Sequence, residues 1–341
     1  MGEIRVAVSL AIPVSEYPKH PLFINSCKKS EDLFIFYQSQ EIAMPLSKGK
    51  TIIEVTVVGH DRQGVVADIT SFIFQNRGNI EKISQNVVRG LFGMQLEASF
   101  LDINRESLDR GLKDLAERLS MEIKVHYQEP NRLQNVAIFV SKEPHCLTRI
   151  LQAKKNGEIK GNIATVIGSD STLKSVADDL GIPFHAVAHT EQVEAENKIL
   201  QLIEQYNIDL IVLARYMRIL TPNFVWRYPN RIINIHPSLL PAFPGAYAYV
   251  QAYERGAKIV GCTAHFVTED LDQGPIICQE SFKVSKSDTL ESIKKKGQEL
   301  EAETLFEAVR LCLENKLEVY WGKVHVLDER EQRGSGSRQS S

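Results

Sequence analysis

The stretch 232–245 reads Ile-Ile-Asn-Ile-His-Pro-Ser-Leu-Leu-Pro-Ala-Phe-Pro-Gly, an apolar run with the look of a buried strand that delivers an amide and an imidazole to its end. Asn234 and His236 stand at i and i+2, so strand geometry sends both to one face. Prolines at 237, 241 and 244 forbid further ladder bonding and fix an irregular loop. Taken alone, the two side chains could equally cap a turn. A second stretch, 261–275, reads Gly-Cys-Thr-Ala-His-Phe-Val-Thr-Glu-Asp-Leu-Asp-Gln-Gly-Pro and carries His265 on an apolar run that breaks into an acidic loop containing Asp272. An amide that donates to developing negative charge, an imidazole that moves a proton and a carboxylate that tunes it together suit attack on a carbonyl carbon. His265 either holds the Asp272 loop or fills the strand face. By ligand type alone, His236, His265 and Asp272 could also hold zinc.

These residues need elements to aim them. From residue 133 onward strand-like and helical patterns alternate: strands at 135–141, 163–168, 184–187 and 209–213, helices at 145–155, 172–181 and 191–206. That alternation predicts parallel strands with helices on both faces, a Rossmann-like sheet whose ligands bind beyond the carboxyl ends of the strands. A closing amphipathic helix over 289–314 is expected to pack on the outside. Upstream, a strand at 51–58, a helix at 65–76, strands at 79–88 and 92–100, a helix at 105–119 and a strand at 122–127 give the order β-α-β-β-α-β, the ferredoxin-like plan. The polar, proline-containing segment 128–132 is the linker. The expected organisation is therefore an extension over 1–49, a small α/β domain over 50–128, a larger α/β domain over 133–327 and a disordered tail over 328–341. Within the extension short strands are expected at 6–12 and 34–37. Acidic residues at 3, 16, 31 and 32 argue against a transit peptide, and no secretory signal is seen.

Composition bounds the function. A chain of 341 residues buries a sizeable core in two domains. A net charge of −3 with dispersed lysines and arginines excludes phosphate-backbone binding, and no apolar run is long enough to span a bilayer. Five cysteines, an odd count without disulfide-framework or metal-type spacing, suit a reducing cytoplasmic setting, with Cys146, Cys262, Cys278 and Cys312 as small buried hydrophobes.

The motifs Asn-x-His-Pro-Ser-Leu-Leu-Pro and His-x-Val-x-x-x-x-Asp resemble those of the folate-dependent formyltransferases, matching Asn234, His236, His265 and Asp272 residue by residue. The stretch 58–67, Val-Gly-His-Asp-Arg-Gln-Gly-Val-Val-Ala, resembles the opening of ACT domains, which implies an effector site at Asp61, Gly64 and Val65, usually between subunits. The alternative is a tight turn that needs glycine for backbone reasons alone. After the first strand of the larger domain, Ser-Lys-Glu-Pro-His-Cys-Leu over 141–147 lacks the glycine-rich turn that would seat a phosphate: Pro144 has no N–H and Glu143 is repulsive. That string resembles the formyltetrahydrofolate deformylases, which join an ACT domain to a formyltransferase-like domain. The resemblance covers about 50–327. It implies that Met217, Arg218, Ile219 and Leu220 contact folate, although Arg218 also reads as a surface ion-pair partner. Ala248 departs from a usual proline, and Pro237 follows the transferase form where deformylases commonly carry a second His. The implied activity is hydrolysis of 10-formyltetrahydrofolate to tetrahydrofolate and formate in one-carbon and purine metabolism. No metal and no cofactor beyond the folate substrate are implied; glycine or methionine as effector and a homo-oligomer are. The alternatives are formyl transfer to an amine such as glycinamide ribonucleotide, and a catalytically silent folate-binding sensor of amino acids.

Overall fold

The computed structural model describes residues 50–129, 132–243, 245 and 247–327; the strands expected at 6–12 and 34–37 and the tail expected over 328–341 lie outside those residues.

The first domain runs β1 (Thr51–His60), α1 (Val65–Gln75), β2 (Asn79–Val88), β3 (Leu91–Phe100), α2 (Arg105–Leu119) and β4 (Glu122–Tyr127), as the sequence patterns predict. Its antiparallel sheet has the order β2-β3-β1-β4. Alternation along β1 sends Ile53, Val55 and Val57 to the helices, where they meet Ile69, Ile73, Leu108 and Leu112 in one core. The Asn104 side chain starts α2 by accepting the Ser107 N–H at 3.0 Å. This domain is tied to the next by charged pairs: Glu122 holds the Arg227 guanidinium at 2.6 Å, and Glu54 pairs with Arg231. From β2, Asn86 Nδ2 donates to Glu269 at 2.6 Å.

The second domain contains β5 (Gln134–Val140), α3 (His145–Lys155), β6 (Gly161–Gly168), α4 (Lys174–Asp178), β7 (Phe184–Ala186), α5 (Gln192–Gln205), β8 (Leu210–Ala214), α6 (Pro222–Val225), β9 (Ile232–His236), α7 (Ala248–Glu254), β10 (Ile259–Phe266), β11 (Ile276–Lys283), α8 (Leu290–Leu313) and the hairpin β12 (Leu317–Tyr320) and β13 (Lys323–Val326). The seven-stranded sheet has the order β11-β10-β9-β8-β5-β6-β7. Strands β5 to β9 are parallel, while β10 and β11 are antiparallel additions at one edge. Its central strands are uninterrupted apolar runs because both faces are covered. Val136, Ile138 and Val140 point to one core, Ala137 and Phe139 to the other. From β5 the chain moves to β6 and β7 on one side, then crosses to β8 and β9 on the other, so the strand order reverses between β5 and β8. A crevice opens at such a point, at the carboxyl ends of the strands.

Two expectations need correction. The helix expected over 172–181 is confined to five residues, α4. The long closing helix α8 does not merely decorate the outside: Leu305, Ala308 and Val309 belong to the main core, and even Glu301 and Thr304 are buried along it.

Candidate active site

Asn234 and His236 leave the carboxyl end of β9 together, and the antiparallel register of β10 places His265 directly opposite Asn234. Asn234 Nδ2 lies 3.2 Å from His265 Nε2, and His265 Nδ1 lies 2.8 Å from the Phe266 carbonyl. The carbonyl requires the hydrogen on Nδ1, which leaves Nε2 as the acceptor of an Asn234 N–H. Burial pushes the His265 pKa below the ordinary 6.5 and keeps this ring neutral.

Asp272 arrives from the loop between β10 and β11. Its φ of 56° is one that aspartate tolerates better than most residues. The loop folds back closely because residue 274 is glycine: a Cβ there would come 1.7 Å from the Phe266 carbonyl oxygen. Asp272 Oδ2 accepts the Gly245 N–H at 2.9 Å and faces His236 Nδ1 at 3.3 Å, while Oδ1 lies 3.9 Å from His265 Nε2. Burial alone would raise the carboxyl's pKa, but the His236 contact and the Gly245 N–H outweigh it and hold Asp272 below the ordinary 3.8. His236, itself buried, places Nε2 3.0 Å from the Phe243 carbonyl. Both of its ring nitrogens thus face oxygen acceptors.

The loop after β9 is pinned by a buried hydroxyl. Thr263 Oγ1 donates to the Ser238 carbonyl at 2.7 Å and accepts the Leu240 N–H at 3.0 Å and a Gln279 amide hydrogen at 2.8 Å. Ala248 is the first residue of α7, where proline would only pre-set a helical φ. The departure at this position therefore bears on helix initiation.

At the β5–β8 crevice, Met217, Arg218 and Ile219 are exposed while Leu220 is buried in the core with Tyr216. Of the four residues expected to contact folate, Met217, Arg218 and Ile219 have exposed side chains, and the Leu220 side chain is buried. The segment is held by Ser141 Oγ, which accepts the Met217 N–H at 3.0 Å, and by Gln192, which donates to the Ile219 carbonyl at 2.9 Å. Asp61 and Gly64 are exposed on the β1–α1 turn of the other domain, whereas the Val65 side chain is fully in its core. The expected effector residues are thus near one another but not part of the Asn234 site.

A formyl transferase family model matches residues 134–309, and an ACT domain model matches 51–126. The formyltetrahydrofolate deformylase of Synechocystis is 43% identical over 273 residues, 78% of this chain and 95% of that protein. That of Bacillus subtilis is 40% identical over 79% of this chain and 91% of its own length. The chain belongs to the formyltetrahydrofolate deformylase family. A solved deformylase from Pseudomonas syringae aligns with a TM-score of 0.57 and 32% identity over 82% of this chain and 96% of its own. A phosphoribosylglycinamide formyltransferase from Bacillus halodurans aligns over 55% of this chain and all of its own, with a TM-score of 0.52 and 34% identity. This deformylase-family chain therefore has the transferase architecture in its larger domain and adds an ACT domain before it.

Sequence reasoning did not single out Thr263, Gly274 or Ser141 as supports of the site. Thr263 and Gly274 lie in the stretch 261–275 around the His265 motif, but nothing in residue type alone distinguishes a clamp from an ordinary strand or turn residue.

Proposed function

We propose that the protein hydrolyses 10-formyltetrahydrofolate to tetrahydrofolate and formate. The observation that carries this reading is the convergence of Asn234, His236 and Asp272 at the end of β9, with the Asp272 carboxylate 3.3 Å from His236 Nδ1, beside the crevice flanked by Met217 and Ile219. Water must add to a formyl carbon deactivated by the N10 lone pair. Asn234 commits one N–H to His265, and its second N–H stabilises the oxyanion, a contribution of roughly 3 to 4 kcal/mol. An aspartate held below its usual pKa is a weak base, so Asp272 chiefly orients the water and compensates charge on His236. With its Nδ1 hydrogen kept on Asp272, His236 takes the water's proton at Nε2 and passes it to N10 as the adduct collapses. Both steps require the Phe243 carbonyl to move off His236 Nε2 when substrate binds.

Hydrolysis is favoured over transfer by the turn between β5 and α3. Glu143 is held by Gln298 at 3.0 Å and His145 faces the buried Glu301 at 3.2 Å, so carboxylates crowd the turn where a phosphate-bearing acceptor would need N–H donors. In this reading the ACT domain takes glycine or methionine at Asp61, Gly64 and the Val65 backbone, in a cytoplasmic homo-oligomer that protects the formyl-folate pool used for purine synthesis. Incubating the protein with 10-formyltetrahydrofolate and no amine, and measuring formate, tests the reading; turnover that depends on glycinamide ribonucleotide would overturn it.

A further inference from the structure

One carboxylate remains outside this chemistry and is wholly buried. Glu301, on α8, is 0% exposed. Its Oε1 accepts the Tyr249 hydroxyl at 2.6 Å; its Oε2 lies 3.2 Å from His145 Nε2 and 3.4 Å from Arg215 Nε. Arg215 makes a charge contact there without hydrogen-bond geometry, since its Nε has no hydrogen-bond partner. The three neighbours come from three different connections beyond the carboxyl edge of the sheet: His145 at the start of α3 after β5, Arg215 in the loop after β8 and Tyr249 on α7 after β9. Arg215 holds a left-handed φ of 59° two residues before Met217. Tyr249 sits on α7, four residues beyond Gly245, whose N–H holds Asp272. Residue 297 must be glycine for this, because a Cβ there would come 2.3 Å from the Tyr249 ring.

His145, Cys146 and Glu301 are metal-ligand types within 4.8 Å of one another. The set is nevertheless filled as an ion-pair network: a permanently charged guanidinium already faces the carboxylate, and burial pushes the Cys146 thiol far up, so it stays protonated.

We propose that Glu301 is a positioning residue, a buried hub that fixes the folate-flanking loop through Arg215 and His145 and the Asp272 site through Tyr249. A buried carboxylate keeps its place only while its partners satisfy it, so the three connections are locked to one point instead of moving separately. The proposal rests on the hydrolase reading for its readout. Asp272 is faced by His236 from β9, His265 from β10 and the Gly245 N–H, and only the last is reached through Tyr249.

The test is steady-state formate release by wild type, Tyr249→Phe and His145→Gln, with folding checked by thermal melting. Tyr249→Phe keeps the ring in its glycine cradle and removes only the hydroxyl. It is expected to lower kcat about tenfold, leave KM for the folate within twofold, and move the acidic limb of the kcat profile to higher pH, because Asp272 loses part of its N–H support. His145→Gln, at a partly exposed position, is expected to raise KM severalfold with kcat little changed. Wild-type kinetics in both variants, or parallel losses of kcat that follow melting temperature with no movement of the pH limb, overturn the hub. Absence of formate from wild type would instead overturn the hydrolase reading itself.

Discussion

Asn234 and His265 are cross-strand neighbours in the β9–β10 pair, with the amide nitrogen 3.2 Å from the imidazole Nε2. This contact orients the Asn234 amide: a neutral ring whose Nδ1 hydrogen is committed to the Phe266 carbonyl can only accept, so the nitrogen end of Asn234 turns toward it. His265→Ala is therefore expected to act through Asn234, lowering kcat by about tenfold while leaving Asp272 ionised. His265→Gln, which can accept at a similar reach, should restore part of the rate. Equal rates for both variants would contradict the orienting role.

Asn234→Ala removes the oxyanion donor and is expected to lower kcat by roughly 100- to 1,000-fold with little change in folate affinity. Stopped-assay kinetics with 10-formyltetrahydrofolate check it, and a rate within fivefold of wild type would remove Asn234 from that role.

Asp272→Asn keeps the shape of the side chain, and its carbonyl oxygen can still accept the Gly245 N–H, but the charge that compensates His236 is lost. We expect a folded protein slowed by several orders of magnitude. Loss of folding, seen by circular dichroism, would show Asp272 to be chiefly a structural anchor of its loop.

Much of this arrangement was legible in the sequence because the informative residues are local. Asn234 and His236 share a strand, the prolines that end it are neighbours, and the β-α-β-β-α-β order of the first domain follows from periodicity. What escaped was set by pairing between distant segments. The antiparallel β10 and the edge strand β11 depend on which strands meet, so the position of His265 opposite Asn234 had no local signature. Glu301 illustrates the same limit: Ile293, Gly297, Glu301 and Leu305 recur at four-residue spacing along the buried face of α8. Spacing marks the position as inward, yet the residue type reads as surface until its three partners are known.

Acid should begin to destabilise the fold as pH falls through the histidine range. His126, His189 and His265 all have pKa values pushed below 6.5, chiefly by burial. The unfolded chain then binds more protons than the folded one as pH falls below about 6.5, so stability falls with pH, by at most about 1.4 kcal/mol per pH unit for the buried His265 and by less for the partly exposed, solvent-screened His126 and His189. Asp272, also lowered, extends the loss below 3.8. Melting temperatures from pH 8 to pH 5 check the sign, and a flat profile would contradict it.

The Asn86–Glu269 hydrogen bond joins the ACT strand β2 to the loop that carries Asp272. If glycine or methionine regulates turnover through this contact, Asn86→Ala should leave basal kcat within twofold and cut the amino-acid response of wild type by more than half. A full response in the variant would place the coupling elsewhere, for example at Arg227 and Glu122.

The most direct test follows the oxygen atoms. Attack by water on the formyl carbon predicts that, in isotopically labelled water and with no amine present, each formate released carries one solvent oxygen beside the original formyl oxygen, in step with tetrahydrofolate formation. Turnover only when an acceptor amine is added, with the formyl group recovered on that amine and no labelled formate, would contradict the account.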